Sequence, residues 1–172
     1  ITMKTFADEF QAGTIEILKT RPITNFQIIL GKFFAVLLLI IIAIIPTFVY
    51  VYSIHQLGNP IGNIDYGSTI GSYVGLLLLA SSYASIGVFT SSISKNQIVA
   101  FLLGIFIAFF FYYGFDAVAN LFGNSSYTVK LFGMNEHFKS ISRGVLDTRD
   151  VLYFFSIIVF FLFITKQKLT NE

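Results

Sequence analysis

Polar and apolar positions along the chain are segregated into blocks. Four apolar runs, at 33–52, 70–89, 98–115 and 151–164, are separated by polar stretches. A spanning helix needs about 20 such residues. The first run carries no charge and holds Pro46, which removes one backbone donor and predicts a kink. The third run closes on Phe109-Phe110-Phe111-Tyr112-Tyr113. The fourth covers only about 21 Å at ~1.5 Å per residue, so it must borrow flanking residues to cross a ~30 Å core. Val, Ile and Phe also favour strands, but continuous apolar runs lack the in/out alternation of a membrane barrel. The pattern predicts an all-α, polytopic transmembrane bundle: a single membrane domain over 1–172, with four spans and an external connection at 116–150.

Composition agrees. Of 172 residues, 55% are hydrophobic and 12% charged, about half the charge of a soluble domain, and mean hydropathy is +0.78. Cysteine is absent, so thiol and thiolate-metal chemistry are excluded. A formal net charge of +2 argues against a nucleic-acid partner. The chain starts Ile1-Thr2-Met3-Lys4 with no signal-peptide pattern, and is expected to be a fragment. Lys4, Lys19, Arg21, Lys32, Lys95, Lys166 and Lys168 fall on one side of the bilayer. Lys130, Lys139, Arg143 and Arg149 fall on the other, matched by Asp116, Glu136, Asp147 and Asp150. The balance puts both ends of the chain in the cytoplasm.

Residues 5–20 carry Phe6, Phe10 and Ile17 at helical spacing, with Asp8, Glu9, Gln11, Glu16 and Lys19 on a polar surface. Gly13 weakens that helix, and Thr14 suits the cap of a second short turn. Arg21-Pro22 stops it, and Thr24-Asn25-Phe26-Gln27 has the form of a capping box that starts the first span. The segment reads either as an interfacial anchor lying on the bilayer or as a short helix docking into a protein cleft. Its acidic polar face favours docking, because the inner leaflet is itself anionic.

The run Glu9-Phe10-Gln11-Ala12-Gly13-Thr14-Ile15-Glu16-Ile17-Leu18, followed by Pro22, resembles the cytoplasmic coupling segment of type-2 ABC transporter permeases. Three further stretches, 67–76, 94–101 and 143–150, resemble the gliding-motility-associated permease subunit, so the likeness covers essentially the whole chain. The resemblance implies a transport subunit of the bacterial inner membrane. It implies an exporter associated with gliding motility, with the family's first two membrane helices missing here. Its partners would be an ABC ATPase subunit, which binds the ATP and magnesium, and a second permease, identical or different, within the lipid bilayer. No cofactor would be bound by this chain. Carried over residue by residue, the coupling set is Glu9, Gln11, Gly13, Thr14, Glu16, Leu18 and Pro22.

Gly67, Gly71 and Gly75 repeat every four residues at the start of the second run. Such a stripe lets helices approach closely; it reads as plain packing or as an interface that slides during transport. In the connection, 134–146 predicts an amphipathic helix with Phe138, Ile141 and Val145 on one face. Glu136/Lys139 and Arg143/Asp147 stand at pairing distance along it. The resemblance makes this insert re-entrant, closing the outer end of the path through Phe138, Ile141, Arg143, Val145 and Asp147. The other reading is a helix lying at the interface.

Catalysis finds no support. There is no G-x-x-x-x-G-K-[ST] phosphate loop, and Ser72 between Gly71 and Gly75 lacks the G-x-S-x-G spacing of a nucleophile elbow. The two histidines, His55 and His137, lie in connections and make no metal pattern. The cores of the runs hold no ionisable group, which counts against an ion-coupled carrier. An ATP-independent scaffold or assembly factor is the alternative.

Overall fold

The protein is described by a computed structural model covering residues 2–14, 22–120 and 126–170. Its regular structure among these residues is all helical, and four of the helices are long and apolar enough to cross a membrane: Asn25–Leu57, Tyr66–Ile93, Gln97–Ala119 and Thr148–Thr170. A short helix, α1 (Ala7–Ala12), precedes them.

The first span starts at the capping box. Gln27 N–H donates to Thr24 Oγ1 and Thr24 N–H to Gln27 Oε1, at 3.3 and 3.0 Å. Helix α2 (Asn25–Ile44) therefore begins eight residues before the apolar run and carries Lys32 in its first turns. Pro46 interrupts it with a 3-10 turn, Ile45–Thr47, before α3 (Phe48–Leu57) continues. At this break Thr47 Oγ1 lies 3.0 Å from Tyr73 Oη, and Phe48 stacks on the Tyr73 ring at 4.6 Å.

Helix α4 (Tyr66–Ile93) is the axis of the bundle. It packs against α2, the third and fourth spans and the helix at Met134–Ser142. Over its most apolar stretch 56% of it is buried, against 17% and 6% for the first and third spans, which leave wide apolar faces for the bilayer or for other helices. Its core face is built from glycine, alanine and serine. Ser81, Ser82 and Ser85 are buried and donate to carbonyls one turn back, so the hydroxyls are satisfied in an apolar surrounding.

The third span is α5 (Gln97–Phe109), a π turn (Phe110–Gly114) and α6 (Phe115–Ala119). Gly114 accommodates the turn: a Cβ there would sit 2.7 Å from the Phe110 ring. Beyond it come α7 (Ser126–Lys130) and α8 (Met134–Ser142). The fourth span, α9 (Thr148–Thr170), has 23 residues, about 35 Å at ~1.5 Å each. The short apolar run thus crosses by recruiting both flanks.

Two apolar cores lie along α4. One joins Phe6 of the N-terminal segment to Phe33, Val88 and Leu162. The other joins Met134 and Ile141 of α8 to Leu79, Phe154 and Phe161.

Candidate functional site

The residues singled out from the sequence gather at the two ends of α4. Ser91 and Gly71 mark them, 20 residues or roughly 30 Å apart, about one bilayer core.

At the Ser91 end, α1 is tied to the first three spans. Ser91 Oγ accepts from Phe6 N–H and Ala7 N–H at 2.8 and 3.0 Å and donates to the Met3 carbonyl at 3.0 Å. A hydroxyl from the second span thereby satisfies orphan donors at the start of α1, a role usually filled by a local side chain. Thr2 fills the notch beside Gly87, where any Cβ would collide with it. Phe6 is fully buried, and Lys32 Nζ stands 4.4 Å above its ring. The same ammonium pairs with Glu9 at 2.6 Å and donates to the Thr5 carbonyl. Gln97 of the third span donates to Asp8.

These contacts correct the expected direction of the acidic face. Glu9 and Asp8 turn toward their own bundle, because Lys32 and Gln97 stand behind α1. What faces outward is the tip, Gln11, Ala12, Gly13 and Thr14, all exposed. Gly13 closes the helix at φ +68°, with open space where a Cβ would lie. Thr14 N–H donates to the Glu9 carbonyl at 3.0 Å, so Thr14 finishes this helix, as in a Schellman motif. Pro22 is exposed. Glu16 and Leu18 lie outside the described residues.

At the Gly71 end, α8 lies on the glycine stripe. Gly71 meets the Ile141 carbonyl and Gly144; Gly75 meets the Phe138 ring and Ile141 Cγ2, where a Cβ would come within 3.3 and 3.2 Å. Gly67 faces the Gly144 turn. Ser68 Oγ donates to the Ser142 carbonyl at 2.9 Å. The stripe thus receives α8 and the Gly144 turn rather than a neighbouring span.

That helix stops at Ser142, short of the expected Leu146, because Gly144 turns the backbone at φ +87°. Val145 is consequently 62% exposed and leaves the face shared by Phe138 and Ile141. Glu136 and Lys139 pair loosely at 3.5 Å. Arg143 and Asp147 form no ion pair. Asp147 Oδ1 accepts from Arg149 N–H at 2.9 Å and caps α9 instead.

Two polar ties here were not foreseen. Asn135 donates to Asp116 Oδ2 at 2.6 Å, joining α8 to the third span. His137 Nδ1 lies 2.7 Å from Asp150 Oδ1, joining it to the fourth, while Nε2 lies 2.9 Å from the Leu131 carbonyl. The His137 ring stacks on Tyr153 at 3.9 Å, and Tyr153 Oη donates to the Phe132 carbonyl at 2.5 Å. The only sequence signal was that His137 and Asp150 share one connection.

No curated protein and no solved structure matches the chain. The ABC-2 family transporter protein model matches residues 1–167. With four span-length helices in order beneath nearly the whole of that match, the chain belongs to the ABC-2 transporter family, the membrane permeases that work with an ABC ATPase.

Proposed function

We propose that this chain is the permease subunit of an ATP-driven exporter serving gliding motility in a bacterial inner membrane. ATP and magnesium are bound by a separate ABC ATPase, and the chain pairs with a second permease. The observation that carries the mechanical part is the anchoring of α1. Its start is capped by Ser91 of the second span and its flank is held by Lys32 of the first, while Gln11–Thr14 project free.

With Gln97 of the third span also bonded to Asp8, a partner that grips the tip pulls on three spans at once. Motion reaches α2 directly through Lys32 and the Pro46 break farther along the same span. For ATP to drive the change, the ATPase must bind the tip with different free energy in its two states, since an equal affinity shifts nothing. The gliding assignment rests on the resemblance of 67–76, 94–101 and 143–150.

The test is affinity purification of the full-length protein from mild detergent, native and as Gln11→Arg/Thr14→Arg. An ABC ATPase that accompanies the native protein and is lost from the variant supports the reading. If no ATPase accompanies the native protein, the ATP-independent scaffold takes its place.

A further inference from the structure

Beside α8, at the Gly71 end of the bundle, lies a cavity of about 630 Å³, within the range of small-ligand sites. Arg143, Arg149 and Lys139 line it, with Leu131 and Val145 among its apolar walls. The Gly144 turn puts the two arginines on opposite arms of one bend, so residues six apart in sequence reach the same space.

Three ion pairs occur among the described residues: Lys32–Glu9, His137–Asp150 and Lys139–Glu136. The cavity wall also holds three carboxylates, Glu136, Asp147 and Asp150, each with a contact of its own. Asp150 is paired with His137, Glu136 with Lys139, and Asp147 caps α9. Arg143 and Arg149 are in none of these pairs and both are exposed. Two guanidinium groups outside these ion pairs that line one partly enclosed space suit a phosphate, which they can hold by paired, charge-assisted hydrogen bonds.

The depth and the surroundings select the source of that phosphate. Arg149 stands two residues before the apolar run at 151–164, which is the level of lipid headgroups for a spanning helix. Val145 and Leu146 after the same turn, and Leu152 near the start of α9, are 62%, 54% and 67% exposed. Apolar side chains next to a basic pocket fit an amphiphile better than a free anion.

The geometry points to a phospholipid site here: Arg143 and Arg149 hold the headgroup phosphate, and Val145, Leu146 and Leu152 lie along the acyl chains. This goes beyond the transport reading and does not depend on an ATPase.

The test titrates the full-length protein in neutral detergent with a short-chain phosphatidylglycerol, and separately with glycerol 3-phosphate, counting bound molecules by native mass spectrometry. One lipid per chain is expected. A charge-assisted contact contributes on the order of tenfold in affinity, so Arg143→Gln or Arg149→Gln should each weaken binding about tenfold, and the double change more. Arg143→Lys/Arg149→Lys should keep most of the affinity and glycerol 3-phosphate should bind less tightly than the lipid. Unchanged binding in the double glutamine variant would overturn the site. So would equal loss in the glutamine and lysine pairs, which would indicate a structural role. Glycerol 3-phosphate binding as tightly as the lipid would overturn the lipid assignment.

Discussion

Gly71 lies with its Cα against the carbonyl of Ile141, so close that no side chain fits between the second span and α8. The contact is backbone to backbone, and neither side can move aside by changing a rotamer. Gly71→Ala should destabilise the protein by about 1–3 kcal/mol, as overpacking does, and Gly71→Leu by more. Gly67→Ala is the milder neighbour, since its Cβ would meet only Asp65 Oδ1, at 3.3 Å. Gly31→Ala, with nothing within 4 Å, should be neutral or stabilising. Thermal unfolding in detergent ranks the three. A Gly71→Leu protein as stable as the native one would refute the contact.

Ser91→Ala removes the acceptor shared by Phe6 and Ala7, leaving two buried donors unpaired. The expected cost is about 1–3 kcal/mol, and it should fall locally on α1 rather than on the spans. Hydrogen exchange would show it as faster exchange over 6–12 with little change in 70–89. Ser92→Ala is the contrast, because that hydroxyl only returns to the Phe89 carbonyl of its own helix; it should be near neutral. Equal effects of the two would mean that Ser91 does not cap α1.

His137 and Asp150, with side chains 12% and 9% exposed, tie α8 to the fourth span. Losing one partner strands the other in a buried place, at about 3–5 kcal/mol for such pairs. His137→Ala and Asp150→Ala should therefore each be costly, and the double variant should cost clearly less than their sum. A double-mutant cycle on unfolding midpoints, with proteolysis in 134–142 as the local readout, measures this. Simple additivity would show that the two side chains do not interact.

What the sequence disclosed was local. Thr24 and Gln27 stand three apart and cap one helix, and Pro46 breaks the helix it sits in; both are legible because cause and effect share a turn of chain. Periodicity carried the reading of 134–146 too far, across Gly144, the very residue whose positive φ ends the helix. The π turn at Phe110–Gly114 lies in an aromatic run with no breaker to announce it. The ties that organise the site join residues far apart: Phe6 to Ser91 across 85 positions, Asp116 to Asn135 across 19. From the sequence, Glu9 belongs to the acidic polar face of a short helix. Its cation, Lys32, belongs to the next helix, and only the packing of the two helices turns the acid inward.

Lys32 separates holding α1 from docking a partner. Its ammonium reaches Glu9, the Thr5 carbonyl and the Phe6 ring, while its stem lies in α2. Lys32→Met keeps an apolar stem for packing against Phe6 but strands Glu9, whose Oε2 is already buried without a partner. Release of α1 by about 1.4 kcal/mol would speed exchange over 7–12 about tenfold, and Lys32→Met/Glu9→Gln should recover part of it, because a neutral amide is less costly to leave unpaired. The exposed tip is untouched, so an ATPase that binds Gln11–Thr14 should still accompany Lys32→Met while it is lost from Gln11→Arg/Thr14→Arg. Loss of the ATPase from Lys32→Met with exchange unchanged would place the dock on Lys32 itself and remove the argument for a projecting tip.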